Sequence, residues 1–269
     1  MHAMQIELIG CTGAGKSTLA EGMLLASRRQ GIDMLMGDTF VLKQHRLDWI
    51  SSKPARTLLI DLFSLWTCLV TWRRNSEFYT FALRIIFRLP VGWLEKLNLA
   101  RNVLKKIGIY EIIRRHGRDR QIILVDEGTL HAAHNLFVHV SVRPNADDLA
   151  TFVRLVPRPE WAIYVMHSES VLIERTLQRG HKRIPDRSYA NVELFVKRAV
   201  EIFDGLRRQP ELEGRLLAID RQQDLIVSSH DPGDPFLADI LSIIRAGMET
   251  DLVNNAARPG LRQDAAVSV

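Results

Sequence analysis

Residues 5–9, Gln-Ile-Glu-Leu-Ile, alternate polar and apolar side chains and stop at Gly10, the pattern of a strand feeding a turn. Across 16–30, Leu19, Met23, Leu24 and Ser27 recur at helical spacing, with Gly31 as the stop. Met34 to Met36 predicts a second short strand that closes at Gly37-Asp38. From 40 to 120 apolar residues recur every three or four positions, divided by Pro54, Pro90 and Gly108, which predicts three or four helices and no strand. Gln121–Val125 and Trp161–Met166 read as buried strands with a helix at 147–156 between them. Helices at 170–177 and 191–208 flank a basic loop, 216–219 is a last strand and 234–246 a last helix. Strands alternating with helices predict a three-layer α/β/α arrangement around a parallel five-stranded sheet. Residues 1–254 form one domain with a helical insertion at 40–120, and 255–269 are expected to be a disordered tail.

The turn after the first strand carries chemistry. Gly10-Cys11-Thr12-Gly13-Ala14-Gly15-Lys16-Ser17 matches GxxxxGK[ST] in full, and Thr18 continues it into the helix. Glycines at these positions let backbone N–H groups wrap phosphates at a helix N-terminus, where the dipole favours anions. Lys16 is expected to reach the β- and γ-phosphates of a nucleoside triphosphate, and the Ser17 hydroxyl to ligate magnesium. A second acidic element follows at Ile122-Ile123-Leu124-Val125-Asp126-Glu127, four apolar residues ending in two carboxylates. An acid at the end of a buried strand beside such a loop supports the magnesium, which assigns Asp126 to the metal. Glu127 is the candidate general base, toward an acceptor hydroxyl or toward water.

Composition changes this picture in one respect. Hydrophobic residues at 46% and charged residues at 25% are ordinary globular values, and the two cysteines, Cys11 and Cys68, form no paired framework. No basic segment followed by an apolar one opens the chain, and the longest apolar run, 57–72, is shorter than the ~20 residues of a membrane span, so a cytoplasmic location is expected. The net charge of +5 is uneven, however: residues 40–120 hold 16 Lys and Arg against 6 Asp and Glu, leaving the remainder at −5. Four of the five tryptophans, Trp49, Trp66, Trp72 and Trp93, lie in that basic block. It suits an acidic partner, either a phosphorylated substrate or the anionic inner surface of a membrane touched peripherally through 40–120. The plainer alternative is a helical subdomain with solvated basic faces and its tryptophans in the helix core. No motif for nucleic-acid binding is present.

Arg175, Arg179, Lys182, Arg183 and Arg187 fall within thirteen residues. A transferring phosphoryl group needs positive charge delivered as it moves, and a mobile arginine-rich loop can supply it. The surrounding residues strengthen this. Pro159-Glu-Trp-Ala-Ile-Tyr-Val165, Glu174-Arg175-Thr-Leu-Gln-Arg179-Gly180, Pro185-Asp186-Arg187, then Phe195 and Arg198, resemble the strand, lid and following helix of thymidylate kinases. Leu217-Ala218-Ile219-Asp220 is similar to that family's last strand. The resemblance, over 5–38 and about 121–245, implies a P-loop kinase domain with a lid at 175–187 and ATP and Mg²⁺ as cofactors. It implies that Arg179 and Arg183 act at the phosphates, that Arg175 lies near the nucleotide and that Arg221 flanks the adenine.

The resemblance has gaps. Gly37-Asp38-Thr39-Phe40 stands where thymidylate kinases have Arg-Glu-Pro-Gly-Gly-Thr, and Asp126-Glu127-Gly128 where they have Asp-Arg-Tyr. An ATP-dependent phosphotransferase of that type, with an unidentified acceptor other than thymidylate, is the expectation, with Lys16, Glu127, Arg179 and Arg183 as its catalytic residues. The alternative is a P-loop ATPase switch, since an acid pair ending a strand also serves to activate water. His131, His134 and His139 form an HxxH with a third histidine but lack a clean fourth metal ligand, so His131 and Asn135 are read as acceptor contacts.

Overall fold

The computed structural model describes residues 3–143, 145–181, 183–184, 186, 188–220 and 235–256. Lys182, Pro185, Arg187 and Arg221 lie outside the described residues. The strands are β1 (Met4–Ile9), β2 (Met34–Met36), β3 (Ile122–Asp126), β4 (Trp161–Met166) and β5 (Leu216–Asp220). They form one sheet in the order β2-β3-β1-β4-β5, with every pairing parallel. The helices are α1 (Lys16–Arg29), α2 (Gly37–Gln44), α3 (Lys53–Val70), α4 (Trp72–Arg88), α5 (Trp93–His116), α6 (Ala132–Phe137), α7 (Ala146–Leu155), α8 (Glu169–Arg179), α9 (Tyr189–Arg207) and α10 (Pro235–Ala256). This is a three-layer α/β architecture around a parallel five-stranded sheet.

Burial of β3 on both faces explains its unbroken apolar run. Ile122 and Leu124 enter the larger core cluster with α1 and α4, whereas Ile123 and Val125 enter a smaller one with Phe40, Val41, Ile60, Ile109 and Ile113. Period-two alternation therefore sends successive residues of one strand into two separate cores. Helix α5 joins them, since Leu99, Val103 and Ile107 belong to the first cluster and Ile109, Ile112 and Ile113 to the second. A buried polar hub fastens α4 to α5. The Glu111 carboxylate accepts from Asn75 Nδ2 at 3.0 Å and from Arg114 Nη2 at 2.8 Å. Asn75 sits at a break in the helical dihedrals of α4, so the hub coincides with its kink.

Four details depart from the sequence expectations. The turn expected at Gly37-Asp38 is instead the first turn of α2, which begins directly at the end of β2. The short helix α6 had no signal, because six residues are too few for a helical period to stand out. Helix α10 continues to Ala256, ten residues past the expected end and two into the segment expected to be a tail. The tryptophans are not helix core: Trp49 is 76% exposed, Trp66 66%, Trp93 60% and Trp72 44%. Helical spacing alone does not say which face a neighbour covers.

Candidate functional site

The site forms where β1 and β3 end side by side. Parallel register pairs Leu8 with Asp126, so the strand that enters the Gly10–Ser17 loop runs next to the strand that ends in the acid pair. Ligands of open parallel sheets bind at such carboxyl ends. Gly10, at φ 144°, passes so close to β4 that a β-carbon would lie 2.5 Å from the Val165 carbonyl oxygen. Gly13, at φ 82°, stacks on Arg175, whose Nη1 donates to the Gly13 carbonyl at 2.8 Å. Side chains at either position would push the loop off its support.

Lys16 folds back over the loop, its Nζ donating to the carbonyls of Gly10 at 2.9 Å and Cys11 at 3.0 Å. The Ser17 hydroxyl donates to Asp126 Oδ2 at 2.8 Å. Burial pushes the Asp126 carboxyl above its ordinary value, opposed by the Ser17 bond. Asp126 Oδ1 is buried and has no hydrogen-bond partner. A buried carboxylate oxygen left open beside a serine hydroxyl matches the donor set of a hard divalent cation, so the residues present fit magnesium. Cys11, buried under the loop, has its thiol pushed up to about 12 by burial, which leaves it inert.

Glu127 sits among two lysines and a histidine. Its φ of 66° turns the chain sharply after β3, and its N–H donates to the Leu8 carbonyl at 3.2 Å. The carboxylate stands 3.4 Å from Lys16 Nζ, 3.5 Å from His131 Nε2 and 4.0 Å from Lys106 Nζ. Lys106 also donates to the Glu127 carbonyl. His131, then Lys106 and Lys16, hold the Glu127 carboxyl well below the usual range. Burial, however, drives the His131 ring well below its own usual range and keeps it neutral near pH 7. The two ammonium groups are therefore what keep Glu127 ionised.

Two cavities share this carboxylate. One, of about 310 Å³, is lined by Thr12, Gly13, Gly15, Lys16, Ser17, Thr18, Arg175 and Arg179 along with Glu127. The other, of about 260 Å³, lies between β2–α2 and α5, and Asp38, Asn102, Lys105, Lys106, Asp126, Glu127 and Asn135 contribute to its wall. Of the loop residues expected at the phosphates, Gly10 and Ala14 do not line the first cavity. Ala14 is buried, its N–H bonded to the Cys11 carbonyl at 3.2 Å, and Gly10 rests beneath β4. Arg183 is turned elsewhere: its Nη1 donates to the carbonyls of His134 at 3.2 Å and Val138 at 3.1 Å, capping the end of α6. Of the two acceptor contacts read from sequence, Asn135 lines the second cavity, whereas His131 is buried behind Glu127 and stacks on His134 at 5.1 Å.

Sequence reasoning missed Asp38, Asn102, Lys105, Lys106 and Glu7. Only Glu7 had a visible signal, a carboxylate inside a strand otherwise fit for burial. It is fully buried, accepts N–H bonds from Leu130 at 3.0 Å and His131 at 2.7 Å, and so fastens the loop that carries Glu127. Burial pushes its carboxyl up to about 7, against the pull of those N–H groups and of Lys106. Asn102, Lys105 and Lys106 stand on a segment whose spacing reads as plain solvated helix, and Asp38 on what reads as the turn closing a strand.

No family model and no curated protein matches the chain. Among solved structures, deoxyadenosine kinase from M. mycoides with bound dCTP is similar at 13% identity and a TM-score of 0.39, covering 95% of this chain and 100% of that one. The M. mycoides enzyme with the products dCMP and a flexible dCDP gives 14% identity and a TM-score of 0.44, covering 89% and 100%. Scores this low describe a loose likeness of overall shape and assign no activity to the chain.

Proposed function

We propose that the protein transfers the γ-phosphoryl group of ATP to a small polar acceptor held in the cavity between β2–α2 and α5. The observation that carries this reading is the shared wall: Asp126 and Glu127 face the second cavity, and Glu127 also faces the cavity of the phosphate loop. A water-activating switch needs only the first cavity.

In this mechanism Ser17 and Asp126 would hold magnesium, which when bound neutralises charge on the phosphate oxygens. Lys16 exchanges its carbonyl partners for the β- and γ-phosphates. That exchange takes one cation away from Glu127, so the proton affinity of the carboxylate rises as substrate arrives. Glu127 then accepts the proton of the acceptor hydroxyl as the acceptor oxygen bonds to the γ-phosphorus and the bond to the β,γ-bridging oxygen breaks, releasing ADP. Arg175, anchored on Gly13, and Arg179 place positive charge along the transferring group. Arg183, assigned to the phosphates by the thymidylate-kinase resemblance, serves here to fasten the lid to α6. Lys105, Lys106, Asn102 and Asp38 read the acceptor. Their charge and hydrogen-bonding groups suit a hydroxylated or phosphorylated metabolite.

Phosphorus NMR with Mg–ATP and pooled nucleosides, nucleoside monophosphates, sugars and sugar phosphates tests the reading. A new phosphorylated species, absent with Lys16→Ala, supports it and names the acceptor class. Inorganic phosphate released at the same rate without any acceptor overturns it in favour of an ATPase switch.

A further inference from the structure

Helix α3 is amphipathic in the wrong direction for a helix bathed in water. Leu58, Leu62, Leu65, Trp66 and Leu69 recur at i, i+4, i+7, i+8 and i+11, one continuous stripe, and each is between 45% and 70% exposed. The covered face carries Ile60, Ser64, Thr67 and Cys68, with Leu59 and Phe63 partly buried beside Ile60 in the smaller core, and it meets α5 through Ser64 and Cys68. Val70, in the last turn of the same helix, is exposed as well. Singly scattered apolar residues are ordinary on a protein surface, whereas a contiguous exposed stripe marks an interaction site.

The chemistry of its surroundings identifies the occupant. The one acid on α3 is Asp61, and it is held by Arg101 and by Lys105 at 3.6 Å, so the stripe itself bears no negative charge. Exposed Lys53 and Arg73 stand at its two ends. A second outcrop on the same helical segment repeats the composition: Phe87 and Trp93 touch at 5.9 Å between their ring centres, with Leu94 and Leu97 exposed and Arg84 and Arg88 nearby in sequence. A second copy of the chain is a poor fit, because a two-fold contact would set a segment of net charge +10 against itself. An anionic bilayer fits both features, since leucine and indole groups enter the boundary between headgroups and acyl chains while lysine and arginine stay among the phosphates. Among the described residues no single helix is long and apolar enough to cross a membrane, and α3 with α4 qualifies only as a pair bent by 107°.

We propose that the outer face of α3 seats the protein on an anionic lipid surface. The same helical segment supplies the wall of the second cavity. Leu97, exposed, and Lys105, in the cavity, both lie on α5, eight residues or about 12 Å apart along the helix. The proposal depends on the exposed stripe and its charge, and it stands whether or not the acceptor cavity binds the ligand argued above.

Co-sedimentation of the full chain with vesicles of phosphatidylcholine alone, and of phosphatidylcholine with phosphatidylglycerol, tests it. Wild type is expected to bind the phosphatidylglycerol vesicles, to be displaced by 0.5 M salt only in part, and to show tryptophan quenching by brominated lipid (salt weakens the charge component and leaves the apolar one). Leu62→Ser with Leu65→Ser and Trp66→Ser, all on the exposed face, is expected to lose binding at least tenfold while melting like wild type and transferring phosphoryl to soluble acceptors at the wild-type rate. Absence of binding to phosphatidylglycerol vesicles, or equal binding by the triple variant, overturns the proposal. A concentration-dependent dimer in sedimentation velocity that the triple variant abolishes also overturns it, by giving the face to a second copy.

Discussion

Helices α1 and α3 are of similar length and obey opposite rules. In α1, Leu19, Ala20, Met23 and Ala26 are buried on the sheet, while Arg28 and Arg29 sit in the last turn, where the helix dipole favours cations. In α3 the covered face mixes Ile60, Leu59 and Phe63 with Ser64, Thr67 and Cys68, while Leu58, Leu62, Leu65, Trp66 and Leu69 are exposed. The first helix was shaped by the core it completes. The second meets its neighbour through small residues that permit a close approach, and its large apolar groups answer to something beyond the chain. The same periodicity thus supports two different energetic roles, and the covering element decides which.

Substitutions separate the two regions, beginning with the largest effect. Lys16→Ala is expected to lower phosphoryl transfer by about 1,000-fold, as loss of a principal charge clamp does, with an unchanged melting curve. Retained transfer would remove the phosphate loop from the mechanism. Glu127→Gln is expected to lower kcat by about 100-fold while leaving ATP affinity, measured by calorimetry, within a few-fold. Acceptor-independent ATP hydrolysis that disappears in the same variant would instead make its role the activation of water.

Gly108→Ala probes the covered face of α3. A β-carbon there would lie 2.4 Å from Ser64 Cα and its carbonyl oxygen, so two helix backbones must separate. The expected destabilisation is about 1–3 kcal/mol in thermal or urea unfolding. A neutral result would mean that α3 is held loosely enough to shift, which would undo the contrast with α1.

Acidity tests the packing behind Glu127. Burial lowers the ring pKa of His131 and His134 well below the ordinary 6.5, and that of His139 and His181 to about 4. The unfolded chain takes up protons below about pH 6.5 that the folded chain refuses, so their contribution is intact above 6.5 and is lost as pH falls toward 4. Glu7 has the opposite sign: its carboxyl, raised from 4.5 to about 7, favours folding at low pH and opposes it as pH climbs through that window. Four histidines outweigh one glutamate. The melting temperature is expected to drop by several degrees from pH 7.5 to 5.5, each kcal/mol being worth roughly 2–4 °C at this size. A rise on acidification would show that the rings are solvated.

Leu65→Ser should do least of all, within about 0.5 kcal/mol, because that residue is exposed on the outer face of α3. A loss comparable with that of Gly108→Ala would show that the stripe is already part of a core.

The sequence alone determined the Gly10–Ser17 loop, its serine–aspartate partnership, the five strands and the longer helices, but neither α6 nor the start of α2. Those features rest on contiguous residues whose backbone conformation and apolar period are local. Gly10 to Ser17 can be recognised anywhere, and β3 announces itself by four apolar residues before an acid. Tertiary structure alone decided that Lys106 from α5 joins Lys16 at Glu127, that Arg183 caps α6 rather than facing the phosphate loop, and that Glu7 fastens the loop after β3. It alone decided that the tryptophans of the basic block stand outside. These outcomes depend on which helices cross and at what register, and on which face each crossing covers, because burial and charge proximity belong to pairs of segments distant in the chain and to neither one separately.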